Sequence, residues 1–153
     1  MDDQLKKQVY IPEPDTVLRA SARRMEASRI AASRISELPL CDERQLRRLS
    51  DLGALEDSEE IVSELVQLFI DEAAELVNLL PELAANSGEL VRAVHKLNGA
   101  AGYVGATRVA QFCGALEEDA QAAFGRVDHQ TIAELREILT ASIDDYRIRL
   151  ERK

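Results

Sequence analysis

Apolar residues recur at intervals of three and four positions from residue 58 to residue 150, which is the period of an amphipathic α-helix. They form four long stripes, and each stripe predicts one helix with a single buried face. The first stripe contains Ile61, Leu65, Leu68, Phe69, Leu76, Leu79, Leu80 and Leu83. The second contains Leu90, Val94, Leu97, Ala101 and Val104. The third contains Val109, Phe112, Cys113, Leu116, Ala120, Ala123 and Phe124, and the fourth Ile132, Leu135, Leu139, Ile143, Tyr146 and Leu150.

Residues that cap helices stand where the stripes begin and end. The predicted N-terminal caps are Asp42 with Gln45 as a capping box, Ser58, Asn86 with Glu89, and Asp128. The predicted stops are Gly53, Gly105 and Gly125, while Pro81 is expected to kink its helix or mark its last turn. Short turns between long helices make neighbours antiparallel. The chain is therefore predicted to be all-α: an antiparallel up-down four-helix bundle with a short preceding helix, which buries Leu46, Leu49 and Leu52.

Residues 1–40 have a different character, and we predict a boundary between an N-terminal extension and a bundle domain at 41–153. Pro12 and Pro14 break the chain, and a helix is expected from about Asp15 to about Glu37. This helix is rich in Arg, and its apolar side is thin and rich in Ala. A basic amphipathic helix can lie on a membrane, but the weak apolar side favours a linker or packing helix.

Composition and charge exclude several classes of function. The chain of 153 residues carries a net charge of −9, and the acidic excess lies in residues 41–153, which argues against a nucleic-acid surface. No apolar run approaches the roughly 20 residues that span a bilayer, and the first residues have no apolar signal core. We therefore expect a cytoplasmic protein without membrane insertion. Cys41 and Cys113 stand in no paired motif and are expected to be free thiols, with Cys113 in the core.

One histidine stands apart from the apolar pattern. His95 falls off the second stripe and is expected to face water, with Gly99 and Gly102 one and two turns further along the same face. A glycine inside a helix costs about 1 kcal/mol relative to alanine. The pattern therefore indicates that something large approaches the imidazole, although an ordinary surface histidine remains open on spacing alone. The other histidine, His129, is expected to be solvated and without a role.

The sequence lacks the motifs that a metal site or a hydrolase would need. A di-iron bundle needs a Glu-x-x-His motif, and Arg92 stands where that Glu would be. Histidines and cysteines are too few for a zinc site, so no metal site is predicted. There is no nucleophile-elbow motif and no glycine-rich phosphate loop. By contrast, an imidazole with an ordinary pKa of about 6.5 is mostly neutral near pH 7. A neutral, exposed imidazole can attack phosphorus and hold a phosphoryl group.

The sequence from His95 to Ala106, HKLNGAAGYVGA, resembles the signature of histidine-containing phosphotransfer (HPt) domains: His, two residues, Lys, Gly, small residues, then Gly with Ala or Leu. The resemblance extends over about residues 41–125. It implies that His95 is the phosphoacceptor, supported by Gly99 and Gly102. The implied partners are response-regulator receiver domains and a sensor histidine kinase. Such a domain is a phosphoryl carrier and not an enzyme, it binds no cofactor itself, Mg²⁺ comes from the receiver, and a monomer is expected.

Asn98 departs from this signature, because the family usually has Lys at that position. Asn can donate a hydrogen bond but brings no charge to the phosphoryl group. Arg92 and, less directly, Lys96 are candidates to compensate. Tyr103 and Arg92 are also predicted to contact the partner.

Two other classes of function stay open on the sequence. The departure at Asn98 fits a scaffold or inhibitor that binds a receiver or kinase without relaying phosphate. The helix at 15–37 fits a structural, dimerising bundle. Residues 5–20 also resemble the end of a receiver domain, with Lys7 as its lysine but Gln8 where proline is expected. In that interpretation residues 1–40 are a receiver tail plus a linker, and the bundle is the C-terminal HPt domain of a hybrid sensor kinase.

Overall fold

A computed structural model of the chain describes residue 15 and residues 34–52, 58–122 and 127–152. In this part of the chain five helices follow one another: α1 (Glu43–Leu52), α2 (Ser58–Leu83), α3 (Ser87–Val104), α4 (Thr107–Ala122) and α5 (His129–Glu151). Helix α2 packs against α3 and α5, and α4 closes the ring against the same two helices. Consecutive long helices are joined by short connections and run antiparallel. The predicted antiparallel four-helix bundle with a short preceding helix is confirmed.

The buried faces of α3 and of the described part of α4 are those that the sequence predicts, and in α5 only Leu150, which is half-buried, and the buried Ser142 differ from the prediction. All five residues of the α3 stripe are buried, as are Val109, Phe112, Cys113, Leu116 and Ala120 in α4. In α5 the aromatic ring of Tyr146 lies edge-on to Phe69 of α2, with ring centroids 5.1 Å apart. Its hydroxyl donates a 2.7 Å hydrogen bond to the carbonyl of Val104, at the end of α3. Tyr146 thus joins three helices at one end of the core.

The predicted stripe of α2 is wrong in part. Ile61, Leu68 and Leu79 are 48%, 51% and 38% exposed. Phe69, Leu76 and Leu80 of the predicted stripe are buried, and the rest of the core face is filled by Val62, Val66, Ile70 and Ala73. Apolar residues occupy most sides of this helix, so two stripes about one residue apart both have helical spacing. Packing against α3 and α5 selects the stripe with the β-branched and small residues. Pro81 lies in the last turn of α2, as predicted.

Helix α3 is fixed at both ends by the residues that the sequence predicts. The Asn86 side chain accepts a hydrogen bond from the backbone N–H of Glu89 at 3.2 Å. At the other end Gly105 has φ +75°, in the left-handed region that favours glycine. A Cβ on Gly105 would lie 2.8 Å from the carbonyl oxygen of Asp42, so the residue also lacks space for a side chain. Particular residues therefore fix both the beginning and the end of α3.

Helix α1 packs against α2 and α3, and its start differs from the predicted capping box. Asp42 does cap the helix, because its side chain accepts from the backbone N–H of Arg44 at 3.0 Å. Gln45 does not return a bond to Asp42: its side-chain amide lies 3.5 Å from the carbonyl of Tyr103. The N–H of Asp42 donates instead to the carbonyl of Gly105 at 2.7 Å. The Gly105 carbonyl follows the end of α3 and also accepts from the N–H of Thr107 at 2.8 Å.

Residues 34–40 lie against the bundle. Ile35 is buried in the same apolar core as the long helices, and the guanidinium of Arg108 in α4 donates to the carbonyl of Leu38, with Nε at 2.9 Å. Residue 15 and residues 34–36 are helical, whereas the remainder of the predicted N-terminal helix lies outside the described residues. So do Gly53, Ala123, Phe124 and Gly125. No helix in the described ranges is both long enough and apolar enough to span a membrane.

Candidate functional site

His95 stands on the outer face of α3. The buried stripe of α3 fixes the rotation of the helix, and this rotation turns the imidazole away from the core. The side chain is 78% exposed, so a partner has direct access to the ring. The prediction that His95 faces water is confirmed.

An open groove of about 530 Å³ adjoins the imidazole. It is lined by Gln45, His95, Asn98, Gly99, Gly102 and Tyr103. A Cβ added to Gly99 or to Gly102 would meet no atom within 4 Å. Neither glycine is therefore required by packing inside the molecule, although each weakens the helix by about 1 kcal/mol relative to alanine. The space that they leave is on the outside, next to His95.

The imidazole has one partner from another helix. Nδ1 of His95 lies 2.9 Å from Oε2 of Glu117 in α4. An ionised carboxylate has no hydrogen to donate, so Nδ1 carries the proton of this bond. In the neutral ring the lone pair then belongs to Nε2. The contact thus selects one tautomer and leaves Nε2 as the nucleophilic nitrogen.

Asn98 shares the same carboxylate. Its side-chain Nδ2 lies 3.5 Å from Oε1 of Glu117, the oxygen that His95 does not use. Asn98 is half-buried between α3 and α4, where a Cβ on Gly114 would come within 4.0 Å of the amide nitrogen. One carboxylate therefore connects two residues that stand three positions apart on α3.

The family of the chain follows from comparison with known proteins. The profile of the Hpt domain family matches residues 64–145, which include α3 and the whole groove face from His95 to Tyr103. This chain belongs to the Hpt domain family. A solved structure from rice, described as a histidine-containing phosphotransfer protein, is 25% identical with a TM-score of 0.59. The match covers 86% of this chain and 94% of the rice chain. No curated protein sequence matches the chain.

Membership gives this Hpt domain a phosphotransfer role in two-component signalling. The family interacts with receiver domains and histidine kinases, and its members carry phosphoryl groups. The fold agrees with this role, because the bundle supplies a rigid support for one exposed face of α3.

The other predicted site residues of the Hpt domain lie at different distances from the groove. Tyr103 is 66% exposed and forms part of the groove wall. Lys96 points towards α2, where its ammonium pairs with Glu72 at 3.5 Å. Arg92 is exposed on α3 and does not line the groove. The structure therefore brings His95, Asn98, Gly99, Gly102 and Tyr103 together and leaves Arg92 and Lys96 outside.

Two members of the site, Glu117 and Gln45, are not predicted as site residues by the sequence, which marks Gln45 only for a helix cap. Both come from helices other than α3, and nothing in the local pattern of α4 marks Glu117 among its neighbouring acids. The one available signal is position, since Glu117 follows the core residue Leu116 and must stand at the edge of the α3–α4 contact. Cross-helix register decides which α3 residue it meets.

The two cysteines of the Hpt domain are buried and free. Burial, followed by the nearby charge of Glu117, raises the pKa of the Cys113 thiol to about 12. Burial likewise raises the pKa of Cys41. Both thiols are therefore protonated near neutral pH, and a protonated thiol is a poor nucleophile. Within the described ranges, no three His, Cys, Asp or Glu side chains are grouped so that they could hold a metal ion.

Proposed function

We propose that this Hpt domain is a phosphorelay intermediate that accepts a phosphoryl group on His95 from a receiver aspartate and passes it to a second receiver. The single observation that carries the proposal is the exposed imidazole whose Nδ1 is bound by Glu117 at 2.9 Å. That bond leaves the Nε2 lone pair pointing away from α4 and open to a partner.

In the transfer step one bond to phosphorus forms as another breaks. The Nε2 lone pair attacks phosphorus in line, an N–P bond forms, and the P–O bond to the receiver's aspartate breaks. The aspartate leaves as a carboxylate with the bonding pair. The phosphorylated ring keeps its Nδ1 proton and is positively charged, and the negative Glu117 faces that charge. In the second transfer the N–P bond breaks and the pair returns to Nε2.

The receiver supplies the remainder of the chemistry in this proposal. Phosphoryl transfer is accelerated chiefly by positioning and by cations that neutralise the developing charge. Mg²⁺ is assigned to the receiver, and the domain contributes a held nucleophile and a docking face. The groove supports close docking, because Gly99 and Gly102 leave the surface beside His95 free of side chains. Tyr103, at its wall, is assigned a contact with the receiver.

A radiolabel experiment tests the proposal. Receiver domains phosphorylated on aspartate with labelled acetyl phosphate and Mg²⁺ are mixed with the wild type, His95→Gln and His129→Gln. Because the chain has only two histidines, the second variant is a matched control. We expect acid-labile label on the wild type and on His129→Gln, and none on His95→Gln. Equal labelling of wild type and His95→Gln overturns the proposal.

The same experiment distinguishes the relay from a scaffold that binds receivers without accepting a phosphoryl group. Receivers that bind the wild type in a pull-down, yet transfer no label to His95, would replace the relay by a binding or inhibitory module. Gel filtration with light scattering addresses the third class: a stable dimer that fails to bind receivers would favour a structural role.

A further inference from the structure

The departure of Asn98 from the family's lysine has a structural counterpart in the shared carboxylate of Glu117. Oε2 of Glu117 contacts His95 at 2.9 Å, and Oε1 is within 3.5 Å of Asn98. We infer that Asn98 is a positioning residue that holds Glu117 on His95 without neutralising it, and thereby keeps the phosphohistidine short-lived and ready for transfer. This inference rests on the proposed function, since it concerns the phosphorylated form of His95.

The amide of Asn98 and the ammonium of a lysine differ in charge. An amide donates a hydrogen bond to a carboxylate but leaves the full negative charge in place. A lysine at position 98 would bring an ammonium to the same oxygen and form an ion pair, which competes with His95 for the carboxylate. The two neighbouring cations on α3 do not do this: Lys96 is paired with Glu72, and Arg92 lies outside the groove. Glu117 therefore faces His95 with its charge intact.

Glu117 also affects the phosphorylated ring of His95. With phosphorus on Nε2 and a proton on Nδ1 the ring is cationic, and its leaving group on N–P cleavage is a neutral imidazole. Loss of the Nδ1 proton would make the leaving group an imidazolate, which departs far less readily. A negative Glu117 at 2.9 Å from Nδ1 favours the protonated ring. The arrangement therefore favours rapid loss of the phosphoryl group, to a receiver or to water.

The space around position 98 also distinguishes asparagine from lysine. Asn98 is short, half-buried, and directed towards α4, where the absence of a side chain at Gly114 leaves its amide nitrogen room. A lysine has a longer stem and reaches from this position either to Glu117 or out towards the phosphoryl group. Either contact stabilises the phosphorylated state, the first by drawing charge from Glu117 and the second by pairing with the phosphate. Replacement of Asn98 by Lys is thus expected to lengthen the life of the phosphohistidine.

The decay of the phosphohistidine is the measurement that tests the inference. His95 is phosphorylated directly with potassium phosphoramidate, whose P–N bond breaks with release of ammonia, and the donor is removed. Phosphorus NMR then follows the decay in the wild type, Asn98→Lys, Asn98→Ala and Asn78→Lys. The last is a matched control, because Asn78 is exposed on α2 and does not line the groove.

We expect Asn98→Lys to lengthen the lifetime roughly threefold or more, the change that a partly exposed charge pair produces. Asn98→Ala, which removes the donor without adding a charge, is expected to lengthen it by less. Asn78→Lys is expected to match the wild type. Unchanged lifetimes in both Asn98 variants overturn the inference, and so does an equal lengthening in Asn78→Lys.

A second readout does not depend on phosphorylation. Long-range ¹H–¹⁵N spectra of the unphosphorylated protein report which ring nitrogen carries the proton, with His129 as an internal reference. The wild type is expected to show the Nδ1–H tautomer at His95, and the share of that tautomer is expected to fall in Asn98→Ala and Asn98→Lys. A tautomer that is unaffected by either variant overturns the positioning role. A purely structural contribution of Asn98 would change thermal unfolding and leave the tautomer as it is.

The two proposals fail in distinguishable ways. If phosphoramidate labels His95 but receivers neither give nor take the phosphoryl group, the relay fails, while the lifetimes still test Asn98. If neither donor phosphorylates His95 in the wild type, both proposals are wrong. If the relay works and the Asn98 variants behave as the wild type, only the inference about Asn98 is wrong.

Discussion

Two regions of α3 use glycine for opposite reasons. At the end of the helix Gly105 is crowded: its φ is +75°, and a Cβ would lie 2.8 Å from the Asp42 carbonyl. On the open face, Gly99 and Gly102 are in ordinary helical backbone, and a Cβ on either would meet no atom within 4 Å. The first glycine is explained by the folded chain itself. For the other two, packing within the described residues gives no reason.

This contrast separates what holds the bundle together from what the bundle presents. Side chains added at Gly105 should damage folding, and side chains added at Gly99 or Gly102 should damage only the approach of a partner. We therefore expect a side chain at Gly105 to lower the free energy of unfolding, and a side chain at Gly99 or Gly102 to raise it.

Gly105→Ala is expected to have the largest effect. The left-handed backbone and the contact with the Asp42 carbonyl together should lower the free energy of unfolding by about 3 kcal/mol. Urea denaturation followed by circular dichroism measures it. Gly88→Ala is the matched control, because its Cβ would make an ordinary 3.6 Å contact with the Asn86 side chain. A loss at Gly105 no larger than at Gly88 would show that the end of α3 is not crowded.

Tyr146→Phe tests the same crowded end from the side of α5. The variant keeps the ring against Phe69 but removes the donor to the Val104 carbonyl, leaving a buried acceptor without its partner. The expected loss is about 1–2 kcal/mol in the free energy of unfolding. Tyr103→Phe, at an exposed position, should be neutral in the same denaturation experiment. Equal stability of the two variants contradicts the structural role of the Tyr146 hydroxyl.

Gly99→Ala with Gly102→Ala is expected to stabilise the protein. Each change should raise the free energy of unfolding by about 0.5–1 kcal/mol, because alanine is the better helix former and no neighbour is displaced. The double variant should accept label from phosphoramidate as the wild type does and receive it more slowly from a phosphorylated receiver. A more stable variant with unchanged transfer from the receiver would remove the explanation offered for these glycines.

Tyr103→Ala should have the smallest effect on folding. The side chain is 66% exposed, so the free energy of unfolding is expected to stay within about 0.5 kcal/mol of the wild type. Binding to a receiver, measured by isothermal titration calorimetry, should weaken, whereas Ile148→Ala, at another exposed apolar residue, should leave binding unchanged. Equal affinities of both variants would exclude Tyr103 from the docking face.

The sequence predicts the buried residues well where the apolar positions of a helix lie on one side only. In α3 a single stripe is possible, and the buried residues are the predicted ones; in α5 five of the six predicted residues are buried, Leu150 is half-buried, and Ser142 is buried in addition. In α2 the choice between Leu68 and Ile70 as core residues depends on packing against two other helices, which spacing within one helix does not contain. Gln45 shows the same limit, because its predicted partner was a near neighbour in sequence and its actual partner is the Tyr103 carbonyl, 58 positions away.

The candidate site divides in the same way. His95, Gly99 and Gly102 follow from the periodicity of one helix, since they lie off its apolar stripe. Glu117 belongs to another helix, and its meeting with His95 depends on the register between α3 and α4. That register is set by Gly105 and by the buried residues of both helices, so a pattern read along one helix does not reveal the pair.

The contact between Arg108 and Leu38 bears on where this module begins when it is moved to another chain. Ile35 occupies part of the core, and the Leu38 carbonyl is held by α4. A shortened chain that starts at residue 41 would uncover apolar surface on the bundle and leave the Arg108 guanidinium without its acceptor. A transplanted Hpt domain should therefore carry residues 34–40 with it, so that the segment joining it to a neighbour also forms part of its own interior.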